Sequence, residues 1–200
     1  KVLKFGGTSV ANAQNILLVE KIVKKESLEN RVVVVVSALS GVTDGLISAA
    51  ESASTKNEKY TETIKSLEEK HLEFVKNLLP ITEQSSWLSF VKKNFNDIED
   101  ICNGIFVLGE FTPRIKDKIT AYGEFLSSNI IAAKLKSDGL DCVWLDSRNY
   151  IKTNSNFTDA KVNFETTNAA LQTYFKENKQ QITLAPGFIA SDVDGNITTL

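Results

Sequence analysis

The first 23 residues constrain the fold more than any other stretch, because they combine a strand pattern, a glycine pair and a helix pattern. The apolar run at positions 2–5 stops at two glycines at positions 6–7, which predicts a buried strand that ends in a tight turn. Apolar residues then recur at helical spacing over positions 10–23, after Thr8 and Ser9, either of which can cap a helix. The predicted unit is therefore strand, glycine turn and helix.

A glycine turn in front of a helix is a candidate phosphate site. Gly6 and Gly7 let backbone N–H groups approach a ligand closely, and the N-terminus of a helix carries partial positive charge. Lys4 adds a mobile positive charge at the end of the predicted strand. The stretch matches neither the P-loop nor the dinucleotide-binding pattern. On these residues alone, phosphate binding and an ordinary turn of an α/β protein are equally good interpretations.

The composition argues against several classes of function. A net charge of −2 with scattered lysines gives no basis for nucleic-acid binding. The longest aliphatic run, Val32–Val36, is far shorter than the ~20 residues of a membrane span, and no signal peptide is recognisable, so we expect a cytoplasmic protein. Cys102 and Cys142 lie far apart and His71 is the only histidine, so we expect no disulfide framework and no metal site. His71 is expected to be a packing residue.

Strand and helix patterns alternate along the chain. The β-branched run Val32–Val36 predicts a central strand buried on both faces. Long, charged, helix-favouring segments fill about 52–112, which we interpret as a helical insertion punctuated by Pro80 and Gly104. Further strand patterns lie at 142–145, 150–152, 182–185 and 197–200, and helix patterns lie at 113–135 and 163–179. The alternation predicts an α/β fold, a three-layer αβα sandwich with a mainly parallel sheet.

Polar residues at two places could meet a ligand. Ser37 to Gly41 follow the central strand, at the edge where ligands bind in open α/β sheets. Thr43 comes next, and its hydroxyl could contact a ligand, although capping the following helix is the simpler role. Within a later helix pattern, Gly123 indicates close approach of another backbone or of a ligand. Glu124 beside it could bind an ammonium group, but the residues alone favour an ordinary surface carboxylate.

Four stretches together resemble the aspartokinase branch of the amino-acid kinase family. They are KFGGTSVAN from Lys4, VVVVSALSGVTDGL from Val33, ITAYGEFLSS from Ile119 and APGFIASDVDGNITTL from Ala185. The stretches occur in the family's order and are spread over the whole chain. Two further segments, LGEFTPRIKDKITAYGE and WLDSRNYIKT, resemble most the kinase part of the bifunctional aspartokinase–homoserine dehydrogenases.

The resemblance implies transfer of the γ-phosphoryl group of ATP, with Mg²⁺, to the side-chain carboxylate of L-aspartate, the first step of lysine, threonine and methionine biosynthesis. Such an acceptor is already ionised at neutral pH, so the reaction needs alignment and charge neutralisation rather than a general base. By the family pattern, Lys4 would be the catalytic residue, on the transferring phosphoryl group. The residues that would bind the ATP phosphates are Lys4, Phe5, Gly6, Gly7, Thr8 and Ser9. The residues that would bind aspartate are Ser37, Thr43, Glu124, Gly187 and Phe188.

The resemblance also implies how the chain is organised. Residues 1–200 would form the N-terminal, substrate-side lobe of the kinase domain, and the absence of methionine suggests a trimmed sequence. The Gly-Arg-Gly-Gly-Ser-Asp segment that follows the Thr-Leu pair in the family, the nucleotide lobe and the regulatory region would be missing. We expect this piece alone to be inactive, and the parent to be an allosteric homo-oligomer. Three alternatives stay open: a related kinase for glutamate, acetylglutamate, carbamate or a nucleotide, a non-catalytic binding module, and a generic phosphate-binding α/β domain.

Overall fold

The structure, a computed structural model, describes residues 1–200 as seven helices and seven strands. The strands are β1 (Val2–Phe5), β2 (Val32–Val36), β3 (Cys142–Trp144), β4 (Lys152–Thr153), β5 (Ile182–Pro186), β6 (Ile189–Asp192) and β7 (Ile197–Thr199). The helices are α1 (Ala13–Ser27), α2 (Val42–Ser54), α3 (Lys59–Leu78), α4 (Ile81–Leu108), α5 (Pro113–Ser137), α6 (Ser147–Tyr150) and α7 (Phe164–Glu177). None of these helices is both long and apolar enough to span a membrane.

The main sheet is entirely parallel, with strand order β1-β2-β5-β3. Its register pairs Val34 of β2 with Leu3 on one side and Leu184 on the other, so the carboxyl ends of these strands lie at one edge. The predicted α/β fold with a mainly parallel sheet is confirmed. A second, three-stranded sheet of order β4-β6-β7 contains an antiparallel pair, β6 with β7, which the alternation of strands and helices did not predict.

Helices cover the two faces of the main sheet unequally. Val32, Val34 and Val36 point into a core of 36 buried residues that includes side chains from α1 to α5. On the other face, α7 contributes Tyr174 and the partly buried Phe175 to a small cluster beside β5, and Val33 and Val35 are half-buried. The prediction that Val32–Val36 is buried on both faces is therefore wrong for the second face, because no helix closes over β2 there.

The helical segment between β2 and α5 belongs to the same core. Helices α3 and α4 are joined by Leu79 and Pro80 and pack against each other and against α2. His71 of α3 is fully buried, and its Nδ1 lies 2.7 Å from the Leu67 carbonyl, so its predicted packing role is confirmed. Gly104 was expected to interrupt this region but lies inside the continuous α4. That the segment is an insertion stays a prediction.

The starts of α1 and α2 differ from the sequence-based expectation. Helix α1 begins at Ala13, and the Asn12 side chain accepts a hydrogen bond from the Asn15 N–H at 2.9 Å. Neither Thr8 nor Ser9 is the cap, because the chain turns further before the helix begins. Helix α2 starts after Gly41, whose φ of 76° lies in the left-handed region. Thr43 therefore lies inside the first turn, and its predicted capping role is wrong.

The segment around Tyr150 also differs from its predicted strand. Asp146 accepts a hydrogen bond from the Arg148 N–H and forms an ion pair with the Arg148 guanidinium at 2.7 Å. This cap favours the single helical turn α6, and the strand β4 begins only at Lys152. The Asp146–Arg148 ion pair therefore has a structural role in this segment.

Candidate functional site

A cavity of about 430 Å³ lies at the carboxyl ends of β1, β2 and β5. Ligands bind at this edge in open α/β folds. The cavity is lined by Lys4, Val35, Val36, Ser37, Thr43, Glu124, Gly187, Phe188 and Leu200. It thus brings together Lys4 and all five residues predicted to bind the amino-acid substrate, from five separate segments of the chain. The sequence reasoning missed Val35, Val36 and Leu200, which are apolar and carried no chemical signal.

Glu124 of α5 is the buried acidic group of the cavity. Only 3% of its surface is exposed, and its Oε2 has no hydrogen-bond partner. Burial raises the pKa of Glu124 to about 7, although hydrogen bonds from the Ala38 backbone and the Ser37 side chain partly oppose the shift. A buried carboxylate group that lines a cavity and has an unpartnered oxygen suits a positively charged ligand group, since a buried carboxylate is costly unless it is paired. The plain surface carboxylate that the residues alone favoured is therefore wrong.

The loop after β2 is fixed against α5 by contacts on both sides of Glu124. Ser127 donates a hydrogen bond to the Ser37 carbonyl at 2.7 Å. A Cβ at Gly123 would lie 2.9 Å from the Ala38 Cβ, so only glycine permits this approach. The close approach predicted for Gly123 is thus present, and it places Ser37 beside Glu124. Lys70 of α3 also donates a hydrogen bond to the loop, at the Ser40 carbonyl.

Thr43 reaches the cavity from the first turn of α2. A Cβ built at Gly123 would lie 3.7 Å from Thr43 Oγ1, which shows how near α5 the hydroxyl sits. Because Gly41 and not Thr43 opens the helix, the hydroxyl is not used as a cap. It can therefore serve as a ligand for a substrate in the cavity.

Gly187 and Phe188 form a strained wall between β5 and β6. Phe188 has a φ of 64°, a conformation that costs a bulky residue about 1–3 kcal/mol. The Gly187 N–H donates a hydrogen bond to the Val36 carbonyl at 2.8 Å, and the Leu200 N–H donates one to the Phe188 carbonyl at 3.0 Å. These bonds tie the wall to β2 on one side and to the end of β7 on the other. Strain of this kind concentrates at binding sites.

The glycine turn lies next to the cavity but does not line it. The Phe5 carbonyl accepts a hydrogen bond from the Ser37 N–H at 3.1 Å, so the turn and the Ser37 loop leave the sheet side by side. No backbone carbonyl accepts a hydrogen bond from the N–H groups of Gly6, Gly7 or Thr8. Three such donors close to the exposed Lys4 suit an anion.

Two predicted members of the glycine turn have other visible roles. The Phe5 side chain is partly buried and packs against the main core. The Ser9 N–H donates to the Gly6 carbonyl at 2.9 Å, which closes the turn. The predicted binding roles of Phe5 and Ser9 stay predictions.

The chain's own side chains do not form a metal site. No three His, Cys, Asp or Glu side chains come close enough together to hold an ion. In nucleotide-dependent enzymes magnesium is usually held by substrate phosphates together with one or two carboxylates.

Comparisons with known proteins agree with this geometry. The amino acid kinase family matches residues 1–200, the whole chain. The chain is 35% identical over 202 residues to the bifunctional aspartokinase/homoserine dehydrogenase 1 of Arabidopsis thaliana, and 32% identical over 199 residues to an aspartokinase of Chlamydia pneumoniae. All of the chain is covered in both matches, but only 22% and 41% of the relatives.

A solved structure has the same fold. It is E. coli aspartokinase III in complex with aspartate and ADP, which superposes with a TM-score of 0.88 at 24% identity over all of this chain and 43% of that one. The chain therefore spans less than half the length of each of these relatives. Its fold and the match along its entire length establish that it belongs to the amino acid kinase family.

Proposed function

We propose that the protein is an aspartate kinase, which transfers the γ-phosphoryl group of ATP to the side-chain carboxylate of L-aspartate. The observation that carries the proposal is the cavity with Lys4 at one side and the buried, unpartnered Glu124 at another. Support also comes from the relatives that are named aspartokinases and from the E. coli neighbour, which was solved with aspartate and ADP.

In this proposal, Glu124 accepts the α-ammonium group of aspartate. The ion pair restores part of the solvation that the carboxylate lost on burial, and it keeps Glu124 ionised at neutral pH. The Thr43 hydroxyl donates a hydrogen bond to a substrate oxygen, and Ser37 contacts the substrate from the loop after β2. Gly187 and Phe188 form the wall that limits substrate length. The substrate is thereby held with its side-chain carboxylate towards Lys4.

The phosphates of ATP lie against the glycine turn. The free N–H groups of Gly6, Gly7 and Thr8 bind phosphate oxygens, and Lys4 neutralises the charge that develops on the transferring group. The acceptor carboxylate is already the nucleophile, so this chain supplies positioning and charge but no general base. Magnesium bound to ATP would add further neutralisation of the phosphate charge.

The localisation, pathway, oligomeric state and regulation of the protein are part of the same proposal. A cytoplasmic enzyme of lysine, threonine and methionine biosynthesis, homo-oligomeric and allosterically regulated, follows from the family resemblance. The predicted organisation, with residues 1–200 as the substrate-side lobe and a nucleotide lobe elsewhere in the protein, is supported by the partial coverage of the relatives. These points are independent of the site chemistry.

The test is ATP-dependent acyl phosphate formation by the full-length protein. Hydroxylamine traps acyl phosphates as hydroxamates, so the product and ADP are measured together for L-aspartate, L-glutamate, N-acetyl-L-glutamate and carbamate. We expect turnover with L-aspartate and none with N-acetyl-L-glutamate, which has no ammonium group for Glu124. Turnover of another acceptor in preference to aspartate would replace the proposal with the related kinase. The absence of turnover with all four would favour a non-catalytic binding module.

Lys4 is tested in the same assay. We expect Lys4→Met to lower kcat by about 100-fold or more, because one preorganised charge at the reacting group contributes on this scale. L-aspartate binding measured by calorimetry should be nearly unchanged, since Lys4 acts on the phosphoryl group. Lys1→Met is the matched control, as Lys1 bonds to Glu26 away from the cavity. Equal kcat in the Lys4 variant and the wild type would remove Lys4 from the catalytic role.

A further inference from the structure

Asp117 of α5 is a fully buried carboxylate with no cation bonded to it. Its oxygens accept hydrogen bonds from three donors in two other segments. The Thr199 hydroxyl donates to Oδ1 at 2.6 Å and the Thr199 N–H to Oδ2 at 3.0 Å. The Thr158 N–H lies 3.1 and 3.0 Å from Oδ1 and Oδ2. A buried carboxylate persists only with such compensation, because an unpaired one is strongly destabilising.

The two donor segments meet at the cavity. Thr199 ends β7, and the next residue, Leu200, lines the cavity and bonds through its N–H to the Phe188 carbonyl at 3.0 Å. The segment around Thr158 is joined to the same strand end, because the Ala160 N–H donates to the Thr199 carbonyl at 3.0 Å. Thr158 itself has a φ of 72°, an unfavourable conformation that the bond to Asp117 helps to hold.

Asp117 and Glu124 are seven residues apart on one helix, which places them two turns apart on the same face. Helix α5 thus carries both Glu124, the acidic group of the cavity, and Asp117, which holds Thr199 next to the wall residue Leu200. We propose that Asp117 is a positioning residue of the amino-acid pocket: by holding Thr199, it sets the distance between Glu124 and the wall formed by Phe188 and Leu200. This inference rests on the proposed function and deepens it, since that distance decides which acceptor length fits.

Thr199→Val tests the inference, with Thr198→Val as its matched control. Both threonines are buried on β7, but Thr198 bonds through its hydroxyl to the Thr153 hydroxyl at 2.7 Å and not to Asp117. Each variant loses one buried hydroxyl and keeps the shape of the side chain. We expect Thr199→Val in the full-length protein to raise KM for L-aspartate by about tenfold with KM for ATP unchanged, because small misplacements of a substrate have large kinetic effects.

Two further variants separate positioning from general stability. Thr199→Ser keeps the hydroxyl and should restore the wild-type KM for L-aspartate. Asp117→Asn should raise this KM further than Thr199→Val does, because a carboxamide oxygen cannot accept from all three donors. Thr198→Val should leave both KM values unchanged, whatever it does to the unfolding midpoint.

The possible results are distinguishable. Wild-type turnover of L-aspartate with equal KM values for the Thr199→Val and Thr198→Val variants would overturn the positioning role and leave the proposed function intact. A parallel rise of the KM values for aspartate and ATP in Thr199→Val, not rescued by Thr199→Ser, would overturn it as well. Absence of turnover in the wild type would overturn the proposed function and, with it, this inference.

Discussion

At the scale of single residues, Glu124 shows a conflict between stability and binding. The protonated carboxyl is favoured in the folded protein, since burial raises the pKa of Glu124 from 4.5 to about 7. Its contribution to stability is therefore present below pH 4.5 and is lost as the pH rises through 7. The loss amounts to about 3 kcal/mol at pH 8. An ion pair with a ligand ammonium group would compensate for this loss. The buried carboxylate therefore favours cation binding and lowers the stability of the unliganded protein.

We expect Glu124→Gln to abolish detectable L-aspartate binding while making the protein more stable at pH 8. The amide keeps the size of the side chain but has no charge to bury, so the stability loss between pH 5 and pH 8 should shrink by about 2–3 kcal/mol. Urea unfolding at the two pH values and calorimetric titration with L-aspartate measure the two effects.

The control for this change is Glu99→Gln, at an exposed carboxylate of α4. It should alter neither the pH dependence of unfolding nor the binding. If Glu124→Gln bound aspartate with wild-type affinity, the role of Glu124 as ammonium acceptor would be wrong. If Glu124→Gln bound no L-aspartate but its unfolding had the wild-type pH dependence, burial would not be the cause of a raised pKa at Glu124.

At the scale of elements, two glycines in helices should respond oppositely to alanine. Gly104 is exposed in α4 with open space around it, so Gly104→Ala should stabilise the protein by about 0.5–1 kcal/mol through helix propensity. A Cβ at Gly123 would meet the Ala38 Cβ at 2.9 Å. Gly123→Ala should therefore push the Ser37 loop away from α5, which costs about 1–3 kcal/mol and weakens L-aspartate binding.

Unfolding midpoints and L-aspartate titrations of the Gly104→Ala and Gly123→Ala variants test these opposite effects. If both alanine variants were stabilised to the same extent and bound L-aspartate as the wild type does, the Ser37 loop would be able to move without a loss of stability. Stabilisation of the Gly104 variant alone would support close packing of the loop as the reason for Gly123.

The α3–α4 pair contains another buried titratable group, His71. His71 lies against Phe95 with ring centroids 5.2 Å apart, and its Nε2 has no partner. Burial lowers the pKa of His71 from 6.5 to about 4. The neutral ring is thus favoured in the folded state, so stability is lost as the pH falls from 6.5 through 4, by about 3 kcal/mol in total.

We expect His71→Leu to remove this acid-sensitive part of the stability and to leave L-aspartate binding unchanged. Leucine fits the apolar surroundings and leaves no unpartnered nitrogen between the helices. Urea unfolding at pH 4.5 and pH 7 tests the change, and His71→Gln, also uncharged, is the second variant. Retention of the full acid sensitivity in both proteins would show that other groups cause it.

Elements with strong periodic patterns were predictable from the sequence, and their ends and pairings were not. The strand at 182–186 and the helix beginning at Pro113 depend on local patterns, so both were found. The start of α2 depends on the left-handed φ of Gly41, and the start of α6 depends on the cap at Asp146. Both conformations are established in the folded chain, and the secondary-structure propensities of the residues do not reveal them. The pairing of β4 with β6 joins distant segments, and no local pattern specifies it.

The candidate site was predictable in part for the same reason. Lys4 lies near the end of β1, and the glycine turn and Ser37 follow β1 and β2, whose carboxyl ends share an edge, so the fold class alone places them together. Glu124 needed the family resemblance, because helical periodicity does not say whether a carboxylate beside a glycine is buried. Asp117 gave no signal, since its partners, Thr158 and Thr199, become neighbours only through the tertiary structure.

At the scale of the whole molecule, the buried Glu124 and His71 have opposite effects on stability between pH 4.5 and 6.5. As the pH falls through this range, the contribution of Glu124 to the stability of the protein rises, and the contribution of His71 falls. The groups lie in different parts of the fold, one in the cavity and one between α3 and α4, so their contributions should add. The wild-type stability should therefore vary less with pH in this window than either single variant.

The variant pair measures this compensation directly. Across pH 4.5–6.5, Glu124→Gln should lose stability on acidification relative to wild type, and His71→Leu should gain it. The double variant should have nearly the wild-type slope, because both opposing contributions are absent and all other titrating groups are unchanged. Urea unfolding at three pH values for the four proteins gives the slopes. If the slopes of the two single variants differed from the wild-type slope in the same direction, the groups would not titrate independently in opposite directions.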